Sequence, residues 1–317
     1  YHETSKQINI DNWMFIMRRK LELKKRLLII CLFIIATAAW SVEIHEAAGT
    51  TAAAFLKVDS GTRPMAMGGA FTGLANDINT LFWNPAGLTS IEFREFSAMQ
   101  NFSVADINSQ AIGYAQRLNQ KTAFGIGFQG AFTQIEYRAQ PTDKPDDLAT
   151  VGGFATGLTL AYELIPEISI GGTAKLIHQR LSVENSLGFA GDFGMVLRPM
   201  GNLMGLGMSL QHVGLIDTEE DLPMTARAGI SFTPLNELSV VGDVTYPLVG
   251  DFPSVHAGLE YWFYDLIAFR IGYSLNQGES LQNGLTTGIG LRRDGRSSLI
   301  NTNFQFDYAL VPSADIG

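Results

Sequence analysis

A chain of 317 residues with 33 glycines, 10% aromatic and only 17% charged residues is too poor in charge for the usual surface of a soluble enzyme. Its net charge of −9 excludes a phosphate-backbone partner and so argues against nucleic acid. One cysteine, Cys31, leaves no disulfide framework and no cysteine-based zinc centre.

In chain order, residues 1–16 read as upstream read-through ahead of Met17. Residues 17–38 then read as a signal peptide: basic residues from Arg18 to Arg26, an apolar run Leu27–Ile35, and Ala36-Thr37-Ala38. That run is too short to span a bilayer as a helix. Cleavage after Ala38 removes Cys31 with seven basic and three acidic residues, taking the charge from −9 to about −13.

Next comes MGGAFTGLANDINTLFWNPAGL, residues 67–88, which suits neither a long helix nor a clean strand. Gly68, Gly69, Gly73 and Gly87 permit positive φ or close backbone approach. Pro85 drives Asn84 to an extended or turn conformation, where its side chain can bond nearby backbone. Asn76-Asp77 suits a helix cap, and Trp83 completes the Trp-Asn-Pro-Ala-Gly run.

From residue 93 the period is two. Phe124, Ile126 and Phe128 oppose Ala123, Gly125, Gly127 and Gln129, while Ile267, Phe269, Ile271 and Tyr273 oppose Ala268, Arg270, Gly272 and Ser274. Strands are expected at 93–103, 107–118, 121–137, 148–164, 167–181, 186–198, 202–213, 224–233, 237–246, 253–263, 266–276, 283–294 and 298–309. They are long, their polar face is small and lysine-poor, and tyrosines sit at their apolar ends. Tight turns alternate with longer links. These are the marks of a transmembrane antiparallel β-barrel rather than a soluble sandwich. Thirteen strands is odd for a single-chain barrel, so a further C-terminal strand is expected and the domain 93–317 reads as truncated.

Residues 49–90 closely resemble the mature start of PorV/PorQ family proteins, relatives of the FadL-type transporters and of UPF0164. The resemblance rests on Phe55-Leu56-Lys57, Gly61, Met67-Gly68-Gly69-Ala70, Asn76-Asp77 and Trp83-Asn84-Pro85-Ala86-Gly87, with "FDYALVP" at 306–312. It implies a FadL-like barrel of fourteen strands with an N-terminal hatch in the lumen, here residues 39–92. Non-spanning backbone is tolerated inside a barrel where it packs on protein.

Other patterns carry less. Gly125-x-Gly127-x-x-Gly130 lies within an alternating strand with no helix after it, so it is not a dinucleotide loop. His45, His178, His212 and His256 show no metal spacing, and no metal or cofactor is expected; His178 and His212 read as interfacial residues on the apolar face. Ser182 is close to His178 in sequence, but a strand gives that spacing no reason to meet as a nucleophile and its base. Asp217, Glu219, Glu220 and Asp221 form an acidic outer loop, a solvated tip or a candidate cation site. Lys175, Asp192, Arg227, Asp243, Glu260, Arg270 and Arg292 fall on inward positions, where buried charges need partners across the lumen or on the hatch. The resemblance implies a non-enzymatic monomeric barrel in the outer membrane of a diderm bacterium, a shuttle or docking component for secreted cargo in type IX secretion. The alternative is a FadL-like conduit for hydrophobic small molecules, and a third reading is a structural barrel without transport.

Overall fold

The computed structural model describes residues 51–103, 107–137, 147–181, 184–276, 284–293 and 303–311. The segments 1–16 and 17–38, His45, Ser182 and the first residues of the last expected strand lie outside them.

Thirteen strands form one sheet among the described residues. They are β1 (Arg94–Phe102), β2 (Asn108–Arg117), β3 (Thr122–Tyr137), β4 (Asp147–Ile165) and β5 (Ile168–Leu181). Then come β6 (Glu184–Leu197), β7 (Met204–Ile216), β8 (Thr225–Leu235) and β9 (Leu238–Pro247). The last are β10 (Ser254–Phe263), β11 (Ile267–Asn276), β12 (Gly284–Arg293) and β13 (Phe304–Leu310). Each strand pairs antiparallel with its sequence neighbours, and β1 and β13 do not pair with each other. The wall is an antiparallel barrel sheet left open at that seam.

Period two decides which side each residue takes. In β10 burial alternates at every position: Ser254, His256, Gly258, Glu260 and Trp262 face inward, and Val255, Ala257, Leu259, Tyr261 and Phe263 face outward. Outward residues are large, apolar and bare, with Phe189 and Phe193 at 70% and 60% exposure. Such a face is stable against lipid and costly against water. Connections are short at one end, as at 166–167, 236–237 and 264–266, and longer at the other, as at 217–224 and 248–253.

One expectation fails on this wall. His212 does not lie on the apolar outer face; it is buried in the lumen. Its φ is +61°, and the β6–β7 register shifts between Gly191 and Phe193, so Gln211 and His212 both turn inward. A bulge of this kind re-aims a side chain and breaks the alternation that sequence reasoning relies on. His178 does stay outside, stacked on Phe154 with centroids 5.1 Å apart.

Residues 51–92, the hatch, run through the barrel from end to end. At the long-loop end the Ala52 N–H donates to the Asp221 carbonyl at 3.0 Å, and Lys57 meets Asp251 at 3.1 Å. At the short-turn end Thr89 Oγ1 donates to Ser169 Oγ at 2.8 Å, and Arg117 donates to the Thr89 carbonyl. Between these points lie only short turns of helix, Thr62–Ala66, Thr80–Trp83 and the 3-10 segment Pro85–Ser90. The core therefore sits between hatch and wall. Phe55 and Leu56 pack on Ala131, Ala155 and Ile177, while Leu81 and Leu88 pack on Ala115, Ala123 and Ala161.

The inward glycines explain how irregular backbone fits so closely. A methyl added at Gly258 would stand 2.6 Å from the Met67 carbonyl oxygen, and one at Gly73 would stand 2.7 Å from the Gly229 backbone. The Gly125 and Gly127 pair, which mimics a nucleotide fingerprint, instead seats Leu81 and the Phe82 ring.

Candidate functional site: the hatch–wall interface

The inward charges fall in three clusters, two joined to the hatch and one within the wall. In the first, Arg63 of the hatch grips Glu260 of β10 with two bonds of 2.8 and 2.6 Å. Its third nitrogen reaches Asn76 at 2.8 Å and Asp77 at 2.7 Å. Arg270 holds the same Glu260 at 2.6 Å and passes the chain of charge to Asp307 of β13 at 2.7 Å. Arg292 donates to Gln305, and its guanidinium lies 4.0 Å over the Trp262 ring. Burial disfavours the Arg63 cation, but Glu260 and Asp77 outweigh it and hold its pKa above the usual value.

In the second cluster the Asp243 carboxylate accepts the N–H groups of Phe71 and Thr72 at 2.9 and 2.6 Å. Arg227 reaches Asp59 at 3.4 Å and lies 4.5 Å over the ring of Trp83, whose indole N–H donates to the Ser60 carbonyl. His256 Nδ1 donates to the Gly68 carbonyl at 2.6 Å, and its Nε2 is 2.8 Å from Ser254 Oγ. That Ser-x-His pair has the bond order of a nucleophile and its base, but both residues are buried beneath the hatch. Here it fastens Gly68, whose φ of +68° places the carbonyl within reach. Gly69, at φ +82°, continues the same turn.

The third cluster is Lys175, Asp192 and His212. Lys175 meets Asp192 at 2.6 Å and lies 3.3 Å from His212 Nδ1, while the His212 backbone N–H donates to Asp192 at 2.9 Å. All three are buried.

The hatch motif is used locally. Asn84 is extended, with φ −149° and ψ 100°, as the residue before a proline must be. Its Oδ1 accepts from the Ala86 N–H, and its Nδ2 donates to the carbonyls of Thr72 and Met195 at 3.1 Å each. Gly87 is tight against Ala75 and Thr80. Of the pair expected to suit a helix cap, Asp77 caps the turn leading into the helix Thr80–Trp83: its Oδ1 accepts the Asn79 N–H at 2.8 Å and its carbonyl accepts the Thr80 N–H at 3.1 Å. Asn76 Oδ1 and Asp77 Oδ2 turn instead to Arg63. A buried guanidinium competes for these oxygens more strongly than helix N–H groups do. Below them, burial pushes the Arg198 pKa down from its ordinary value while the guanidinium donates to the Ala75 carbonyl at 3.1 Å.

The acidic loop behaves differently. Asp217, Glu219, Glu220 and Asp221 are solvated, and among the described residues no group of His, Cys, Asp or Glu could hold a metal. What the loop supplies to the hatch is the Asp221 carbonyl. Arg63, Asp59 and the Ser254–His256 pair were not singled out from sequence. Only Ser254-x-His256 had a signal there, two residues apart on one strand face.

Comparison with known proteins gives a consistent picture. Residues 33–183 match the family described as Uncharacterised protein family (UPF0164). No curated protein matches in sequence. Among solved structures, the Pseudomonas putida toluene transporter TodX is similar at a TM-score of 0.56 and 13% identity, over 80% of this chain and 91% of that one. The Ralstonia pickettii toluene transporter TbuX is similar at 0.53 and 15%, over 80% and 97%. A Pseudomonas aeruginosa FadL homologue is similar at 0.54 and 12%, over 80% and 90%. At these identities the likeness establishes the fold, a FadL-like β-barrel.

Proposed function

We propose that this chain, with a UPF0164-type N-terminal half on a FadL-like barrel, is a non-enzymatic outer-membrane conduit for small hydrophobic molecules. The observation that carries the reading is a hatch that crosses the whole lumen and is fastened by the buried Arg63–Glu260 pair and the part-buried Asp59–Arg227 pair rather than by covalent links. A charge-rich plug is an expensive way to fill a purely structural barrel, because each buried ion loses its hydration. It suits a plug that must seat in one register and be released. The similar folds are toluene transporters, which favours passage of apolar molecules over the alternative of docking secreted cargo. The described outer connections, such as 217–224 and 248–253, are also short for gripping a protein. Short turns would then face the periplasm and longer loops the cell surface.

The test is uptake of radiolabelled toluene by diderm cells expressing the protein. A Thr89→Cys/Ser169→Cys pair, built on hydroxyls 2.8 Å apart, should lock the hatch when oxidised. Uptake should exceed that of empty-vector cells, fall on oxidation and recover on reduction. Uptake equal to the vector control would reject the conduit.

A further inference from the structure

The hatch does not meet all sides of the wall in the same way. Against β10 and β8 it packs backbone on backbone, as at Gly258 and Gly229. Against β3 and β4 the nearest hatch atoms at Gly127 are those of one ring, Phe82, at 3.2 Å from a built Cβ, and at Gly157 no hatch atom is among the nearest. A cavity of about 10 Å³ lies there, bounded by Leu81, Phe82, Gly127, Gly157, Gln129 and Lys175. Phe82 is only partly buried although its own carbonyl is pinned by Gln211 at 2.8 Å. The backbone is held, while the ring lies between two core clusters and keeps part of its surface open.

Two polar groups face this cavity without a full set of partners. Gln129 is 7% exposed, and among the described residues its carboxamide has no hydrogen-bond partner. Lys175 has three N–H bonds, and among the described residues Asp192 and His212 are the partners of its ammonium. A mostly buried amide without a protein partner needs a water or a ligand group to satisfy it. Leucine would fill the same inward position without that need. Neighbouring Thr159 and Thr173 satisfy each other at 2.8 Å and leave recognition to Gln129 and Lys175.

We infer that this cavity is a ligand subsite, closed at rest by the Phe82 ring, that reads one oxygen on an otherwise apolar, uncharged molecule. The apolar body follows from Leu81, Phe82 and the glycine walls. Neutrality follows from Asp192, which already balances Lys175 at 2.6 Å, so a charged ligand would bring an uncompensated ion into a mostly buried site. The single oxygen follows from Gln129 and the spare Lys175 N–H, which together offer donors and one acceptor to a hydroxyl or carbonyl. At about 10 Å³ the cavity admits no more than a water-sized group, so ligand entry requires the Phe82 ring to rotate away from Gly127.

This inference rests on the conduit reading and selects within it. The experiment is calorimetric titration of the detergent-purified full chain with 4-methylphenol and with toluene, which differ by one hydroxyl. The wild type should bind 4-methylphenol roughly tenfold more tightly. Gln129→Leu should bring the two affinities together; it removes an unpaired amide and so should fold at least as well. Phe82→Ala should speed association of both ligands. Equal affinities in the wild type, or a preference that survives Gln129→Leu, would overturn the subsite while toluene uptake by cells still upheld the conduit. Absent uptake with an intact 4-methylphenol preference would reject the conduit and keep the subsite.

Discussion

Arg63 ties the hatch to the wall and to itself through four bonds. It is bonded to wall and hatch together, and its side chain is 8% exposed against 2% for Glu260. Removing one partner of such a pair leaves the other charge buried, which costs about 3–5 kcal/mol, whereas removing both can be nearly neutral. Arg63→Met should therefore lower unfolding stability in detergent by about that amount and raise single-channel conductance in planar bilayers. The double variant Arg63→Met/Glu260→Gln should recover only part of the stability, because Arg270 then loses one of its two acids. A conductance unchanged in Arg63→Met would show that the ion network does not hold the plug. Inward positions of Glu260, Arg270 and Asp243 were readable from the strand period. Their partners were not, since Arg63 and Asp59 lie in hatch segments without periodicity, and nothing in the sequence states which strand they will face.

At the scale of elements, the path of the hatch has a consequence for its direction. Ala52 and Lys57 are tied to the loops at the long end, and Thr89 to the short end, so the described hatch runs from the long-loop end to the short-turn end. Long loops face the cell surface in barrels of this kind. Ala54 is exposed there. In a Cys31→Ser background, Ala54→Cys should react with a membrane-impermeant maleimide on intact cells, while Glu92→Cys, exposed at the other end of the hatch, should react only after lysis. Labelling in the opposite order would invert the barrel or the hatch. The strands themselves were legible to within a few residues at almost every boundary, since lipid on one side and a packed lumen on the other enforce strict alternation. The expected strand at 202–213 and β7, Met204–Ile216, differ most in meaning, because the bulge at His212 reverses the parity of the residues after it. A single left-handed residue leaves no mark in a hydrophobicity pattern. The same limit hid the Gln129 cavity: an inward glutamine reads as any polar lumen residue until the hatch is in place around it.

At the scale of the whole molecule the unpaired seam governs stability. Both β1, with nine residues, and β13, with seven, pair on one side only. Every other backbone N–H and C=O along those edges then lacks a partner, and in hydrocarbon each costs several kcal/mol. The hatch reaches β1 through its side chains, with the Gly61 N–H on the Met99 sulfur and the Ile78 N–H on the Glu95 carboxylate at 2.9 Å, and neither bond serves a backbone group of the edge. Inward residues nearest the seam, Ser97 and Ala309 among them, are half-exposed, whereas those of β10 on the far wall are buried at every inward position. We propose that a fourteenth antiparallel strand occupies the seam in the membrane. Adding a ten-residue strand of alternating apolar and small polar residues beyond Val311, joined by a short turn, should then raise the yield of heat-modifiable protein in liposomes. It should also slow amide hydrogen exchange in β1 and β13 by orders of magnitude. Should residues 1–317 alone give a fully heat-modifiable barrel with both edges protected from exchange, the seam must close by direct β1–β13 pairing, and the fourteenth strand is unnecessary.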